Sequence, residues 1–246
     1  MPPRVTVFRS VLLVCLIILQ ARCAHRTDSS SQYMDRPDLT PLMNAAANND
    51  LSRVQVLLAQ GADAKQKAAK GETALFEAIE RRDLPKDNLT VVDALLKAGA
   101  DPNEQEIYRE SALLISMTRD NVNPSVTLRL LEAGAVVPHD CGDGDSLMSL
   151  ATQESSVEVM KALADRGAPV NCSYRGATPL YWAATNAETE KVSLLLQYGA
   201  DAGTQVNGNI YIKAASCLGC EPRVQANFAR TRQLLEDHLR SAPTRK

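Results

Sequence analysis

The chain is short of the groups from which active sites are usually assembled. Among its 246 residues there are three histidines, His25, His139 and His238. A Ser/His/Asp or Cys/His nucleophile needs its base within hydrogen-bond reach, and three scattered imidazoles offer little for that. No phosphate-binding glycine loop, H-E-x-x-H pair or dinucleotide fingerprint occurs. Blocks of like charge are missing too. The formal net charge is −2, and residues 1–23 hold three arginines and no acid, which leaves 24 basic against 29 acidic residues in the remainder. That balance is wrong for nucleic acid or for an anionic lipid surface. Aromatic residues make up only 4%, with one tryptophan, Trp182, against 45% hydrophobic residues overall. A core is affordable at this length, and it must be made of Leu, Ala and Val.

What is present is repetition. "TPLYWAA" from Thr178 recurs as "TPLMNAA" from Thr40, "TALFEAI" from Thr73, "SALLISM" from Ser111 and "SLMSLAT" from Ser146, with a worn "IYIKAAS" from Ile210. Each of the first five frames leads into a Leu-rich stretch that ends in Gly-Ala. The glycines are Gly61, Gly99, Gly134, Gly167 and Gly199, spaced 38, 35, 33 and 32 residues apart. Thr40, Thr73, Ser111, Ser146 and Thr178 are residues that cap a helix N-terminus through the side-chain oxygen. Pro41 and Pro179 then fall at the first helical position, where the missing N–H costs nothing. A second helix follows, with Val192, Leu195 and Leu196 on one face of its last copy, and Gly199 ends it in the left-handed region. Such a unit cannot bury its apolar face alone and needs stacked neighbours.

A period near 33 with a T-P-L-x-x-A core resembles the ankyrin repeat. The resemblance covers about residues 38–240 and implies an all-α solenoid of stacked helix pairs with hairpin fingers. Repeats are expected at about 38–67, 68–105, 106–140, 141–172 and 173–204, a degenerate cap at 205–240 and a tail at 241–246. It also implies a non-catalytic, cofactor-free module that binds another protein through a concave face of fingers and inner helices. Mapping the chain onto the repeat puts Glu72, Tyr108, Glu110, Asp145, Tyr174 and Arg175 on fingers, and Arg119 late on an inner helix. Trp182 is equivalent to Asn44, Glu77, Ile115 and Leu150, so an Ile115–Leu150–Trp182 row is expected across three inner helices. Trp, Tyr and Arg are the side chains enriched at binding hot spots. The extra "LPKDN" and "NVNP" segments are expected to lengthen one edge of the array.

The N-terminus has the order of an export signal. Arg4 and Arg9 precede a nine-residue apolar run, Val11 to Leu19, which is too short to span a membrane. Ala21-Arg22-Cys23 offers a cleavage site, and Cys23 stands where a bacterial lipoprotein carries its acylated cysteine, with residues 24–37 as a polar tether. Contact with a membrane is expected only through such a lipid, and the domain is expected to be monomeric alone. Discounting Cys15 and Cys23, four cysteines remain, an even number that suits an oxidising compartment. In the ankyrin mapping Cys141 and Cys172 fall in successive fingers, which favours pairing them and leaves Cys217 with Cys220.

Two clusters need weighing as chemistry. "HDCGDGDS" sets His139, Cys141 and Asp143 close together, but the spacing matches no closed zinc site and no Glu closes a calcium loop. A finger turn is the expected structure. "CLGC" at Cys217–Cys220 has redox-pair spacing without the strand-to-helix context that activates such pairs. The function expected from all this is a protein-binding module of the bacterial envelope, resembling immunity proteins against secreted lipase toxins or accessory proteins of stress defence. The alternatives are a thiol–disulfide redox protein acting through Cys217 and Cys220, or an intracellular ankyrin effector.

Overall fold

Five times over, a hydroxyl side chain opens a helix. In the computed structural model the Oγ atoms of Thr40, Thr73, Ser111, Ser146 and Thr178 accept hydrogen bonds from Met43, Phe76, Leu114, Ser149 and Tyr181 N–H at 3.2–3.3 Å. Each bond satisfies a donor that the first helical turn leaves open. The structure describes residues 36–80, 88–104, 111–118, 122–141, 146–174, 176–203 and 222–241. The helices that follow these caps are α1 (Pro41–Ala47), α3 (Ala74–Glu80), α5 (Ala112–Ile115), α7 (Leu147–Glu154) and α9 (Pro179–Thr185). Between them lie α2 (Leu51–Ala59), α4 (Leu89–Lys97), α6 (Pro124–Glu132), α8 (Val157–Ala164) and α10 (Thr189–Gln197), and α11 (Pro222–Ser241) comes last.

These form two layers of helices. In the inner layer α1 packs on α3, α3 on α5 and α7 on α9; in the outer layer α2, α4, α6, α8, α10 and α11 pack in succession. Small residues permit the close approach: Ala45, Ala78, Ala151 and Ala183 are buried at equivalent positions. Val54, Val92, Val126, Val159 and Val192 seal the inward stripe of the outer helices. All five glycines that end the outer helices have φ between +81° and +93°, which L side chains adopt only with strain. Among the described residues there is no strand, only isolated bridge residues such as the Tyr174–Ala177 pair, and no helix is long and apolar enough to cross a membrane.

The segments between an outer helix and the next cap are the fingers, and side chains tie each to the next. Lys67 of the first pairs with Glu104 of the second. Asn103 of the second brackets the third, donating to Gly134 O at 3.1 Å and accepting from Val136 N–H at 2.8 Å. Asn171 of the fourth repeats this, donating to Gly199 O at 3.2 Å and accepting from Asp201 N–H at 2.8 Å. Between the third and fourth, His139 Nδ1 meets Gly167 O at 3.2 Å. A disulfide joins Cys141 to Cys172 there, with Cα atoms 5.2 Å apart.

One expectation needs correcting. Asn123 and Pro124 of "NVNP" do not extend an edge. Asn123 caps α6 by accepting from Val126 N–H at 3.3 Å, and Pro124 is the first residue of the helix. The last helix is 20 residues long, about twice its outer-layer counterparts. Residues 204–221, which would complete a sixth pair and include Cys217 and Cys220, lie outside the described residues.

Candidate protein interface

The inner-helix row predicted from the sequence changes character along the array. Asn44, Glu77 and Ile115 are buried, whereas Leu150 and Trp182 are half-buried. Asn44 is turned inward, donating to Leu39 O at 3.4 Å. The apolar row is therefore open to solvent only at α7 and α9. On α9 the Thr178 cap and Pro179 fix the start of the helix, and Leu180, Ala183 and Ala184 take the buried face. That leaves Tyr181 and Trp182 packed against the core with part of each ring outside. The two rings stand edge to face, with centroids 6.0 Å apart and planes at 80°, an arrangement favoured by the aromatic quadrupole. Trp182 Nε1 is closed off from solvent and has no hydrogen-bond partner.

Polar neighbours on α9 are used internally. Thr185 Oγ1 donates to Tyr181 O and Trp182 O, both at 3.0 Å, and Asn186 next to it is exposed. The preceding finger is a tight hairpin in which Tyr174 N–H donates to Ala177 O at 2.8 Å and Ala177 N–H to Tyr174 O at 3.1 Å. Gly176, at φ +78°, makes the turn, and Tyr174 is half-buried at its base. Of the residues expected to contact a partner, Tyr174 and Trp182 thus lie on successive elements of the fifth repeat. Glu72, expected to stand out on its finger, is buried instead. It is 5% exposed, because its carboxylate folds back to accept Lys70 N–H at 3.0 Å within its own turn. Tyr108, Glu110, Arg119, Asp145 and Arg175 lie outside the described residues.

Charge perturbation lies elsewhere. Hydrogen bonds from Lys97 and then Arg129 hold the Asp93 carboxyl below its ordinary value, and those from Lys161 and then Tyr198 do the same for Asp165. The Ser156 hydroxyl lowers Glu158, while Asp165 raises both Lys161 and Tyr198. These groups all belong to outer helices or their C-terminal ends. Two of these contacts join one repeat to the next, Arg129–Asp93 at 2.8 Å and Tyr198–Asp165; the others lie within one helix or at its cap. Among the described residues no three His, Cys, Asp or Glu side chains gather as a metal site. Cys141, drawn beside His139 in the sequence, is bonded to Cys172.

Sequence reasoning missed Lys191 of α10. The residue is 8% exposed, yet its ammonium reaches Thr152 O of α7 at 2.6 Å and Glu188 at 2.9 Å. A charged residue in an outer helix reads as solvated; its long stem lets it bury along the helix and bond the next repeat.

Comparison with known proteins agrees with this architecture. The family described as "Ankyrin repeats (3 copies)" matches residues 11–106 and 113–206. The chain is 33% identical over 177 residues to the ankyrin repeat domain-containing protein SAT10 of Stachybotrys chartarum, covering 70% of this chain and 8% of that protein. It is 31% identical over 207 residues to the transient receptor potential cation channel subfamily V member 6 of Rattus norvegicus, covering 79% of this chain and 24% of the channel. The chain thus spans a minor part of these relatives. Among solved structures, an ankyrin repeat domain from Acinetobacter baumannii AYE superposes with a TM-score of 0.61 at 24% identity, covering 80% of this chain and 97% of that one. A chain of the complex between the Bdellovibrio bacteriovorus predatory endopeptidase Bd0816 and immunity protein Bd3460 gives 0.58 at 21%, covering 81% and 98%. Members of the family are generally non-catalytic protein-interaction modules. With capped helix pairs, glycine stops and a period near 33 residues, this chain belongs to the ankyrin-repeat family.

Proposed function

We propose that the chain is a non-catalytic binding module of the bacterial envelope that grips a partner protein along its fingers and inner helices, in the manner of an immunity protein or inhibitor of a secreted enzyme. The observation that carries this is the half-open Tyr181–Trp182 pair on α9, set behind the Tyr174 finger. Elsewhere the same row is closed by Asn44, Glu77 and Ile115. An aromatic edge on a rigid helix supplies contact area at little entropic cost. The structural likeness to a chain of an endopeptidase–immunity protein complex supports an enzyme as the partner class. The arginine-flanked apolar run at Val11–Leu19 supports export, with or without lipid at Cys23.

The test is capture from an envelope fraction with the chain as bait, then affinity for the captured protein. Tyr174→Ala should weaken binding at least tenfold while moving stability by no more than about 0.5 kcal/mol, as expected for a residue outside the core. Trp182→Ala should weaken binding and also cost about 1–3 kcal/mol, less than the roughly 3–5 of a fully packed tryptophan. Wild-type affinity in both variants would sink the proposed face. A chain from cells that begins at Met1, rather than between Arg22 and His25, would sink export.

A further inference from the structure

Three features meet at the junction of the third and fourth repeats. The inner helix α5 is a single turn, Ala112–Ile115, and its contact with α7 is at most marginal, whereas α1–α3, α3–α5 and α7–α9 are packed pairs. The asparagine bracket with two hydrogen bonds, present on either side, is replaced here, among the described residues, by the single His139–Gly167 hydrogen bond. The Cys141–Cys172 bridge lies at this same place. The outer layer, in contrast, is continuous: α6 packs on α8, and Arg166 of the loop after α8 donates to Leu131 O of α6 at 3.2 Å.

We propose that the Cys141–Cys172 bridge closes a seam between repeats one to three and repeats four and five, so that its redox state sets whether the fingers and inner helices of the first three repeats are held rigidly beside the open row of α7 and α9 or swing away from it, hinged on α6 and α8. The consequence for binding rests on the function proposed above; the seam itself does not.

The two ends of the bridge differ. Cys172 is 2% exposed and its carbonyl accepts from Ser149 Oγ of α7 at 3.1 Å, so it stays with the fourth repeat whether or not the bridge is present. Cys141 is exposed and follows the third finger. Reduction by a dithiol therefore begins at the accessible end. The attacking thiolate bonds to Cys141 Sγ, the Cys141–Cys172 bond breaks, and Cys172 leaves as a thiolate that takes up a proton. The second thiol of the reductant then attacks its own sulfur in the mixed disulfide and releases Cys141 as a thiol. Two electrons and two protons pass to the protein, and the reductant becomes a disulfide. Afterwards the hydrogen bond that remains between the two fingers among the described residues is the exposed His139–Gly167 contact, while the outer layer keeps its packing and Arg166.

The experiment is hydrogen exchange on the full chain in three states: oxidised, reduced with dithiothreitol, and Cys141→Ser without reductant. The serine variant isolates this bridge from other cysteines, and it replaces the exposed partner so that folding is preserved. Exchange should rise at least tenfold at Leu150, Tyr174 and Ala177 in the reduced and variant states, with α1–α4 and α10 unchanged. No change at the seam, a uniform change across all repeats, or a change with dithiothreitol that Cys141→Ser does not reproduce would each overturn the proposal. Affinity for a captured partner should fall at least tenfold in Cys141→Ser. Equal affinity with an open seam overturns the gating, whereas failure to capture any partner counts against the binding function and leaves the exchange result intact.

Discussion

Gly167→Ala should cost more than the same change at Gly134 or Gly199, and the excess should depend on His139. The three glycines end equivalent outer helices with φ of +81°, +93° and +85°. At Gly134 and Gly199 an added Cβ meets nothing within 4 Å, so only the backbone is penalised. Left-handed strain of about 1–2 kcal/mol, less about 0.4–1 kcal/mol from a stiffer unfolded chain, leaves roughly 1 kcal/mol. At Gly167 the Cβ would lie 2.9 Å from both Cε1 and Nδ1 of His139. The imidazole is the free end of an exposed side chain and can swing away. In doing so it gives up its 3.2 Å contact with Gly167 O, a loss of about 0.5–1 kcal/mol for an exposed bond. Gly167→Ala should therefore cost about 1.5–2 kcal/mol.

His139→Ala alone should cost about 0.5–1 kcal/mol, the same bond lost by another route. In the double variant the bond can be lost only once. The two costs should fall short of additivity by about 0.5–1 kcal/mol, above the roughly 0.3–0.5 scatter of independent sites. Equilibrium urea unfolding of the oxidised chain measures the five variants and wild type on one scale. Equal costs at Gly134, Gly167 and Gly199, or additive costs in the double variant, would refute the reasoning.

Two further outcomes follow from the joints between repeats. Asp93 and Asp165 have folded carboxyl values depressed below the ordinary 3.8 by hydrogen bonds from Lys97 and Arg129, and from Lys161 and Tyr198. Their contribution is thus present above that value and is lost as pH falls through the depressed folded value. The melting temperature should drop on acidification below about pH 4, and Asp93→Asn with Asp165→Asn should flatten the drop; an unchanged acid limb would refute it. Lys191→Met keeps the buried stem but strands the Thr152 carbonyl that the ammonium serves at 2.6 Å. It should cost about 1–3 kcal/mol in urea unfolding, and a variant as stable as wild type would show that the bond contributes nothing net.

What could be read from the sequence was what one residue settles with its own backbone. A threonine before an apolar run caps a helix whatever surrounds it, and Thr40 and Thr178 do so in the first and fifth repeats alike. Gly61 and Gly199 adopt positive φ for a reason confined to the residue. The joints between repeats are of another kind. Asn103 and Asn171 stand four residues after their glycines, a regularity visible in "GADPN" and "GAPVN", yet the sequence does not say that each amide reaches backbone 31 or 28 residues further on. Glu72 occupies a finger position by the period, and the period does not show the local turn that offers Lys70 N–H to its carboxylate. Trp182 belongs to the same class. Its row was legible by counting from the caps, but its exposure depends on what the neighbouring helix sets beside it. The proposed binding surface depends on these relations between repeats, since it lies where one repeat leaves its neighbour's row uncovered. Hence the period located the candidate face, while the unevenness of the joints, greatest between the third and fourth repeats, bears on how rigidly the first three repeats are held beside it.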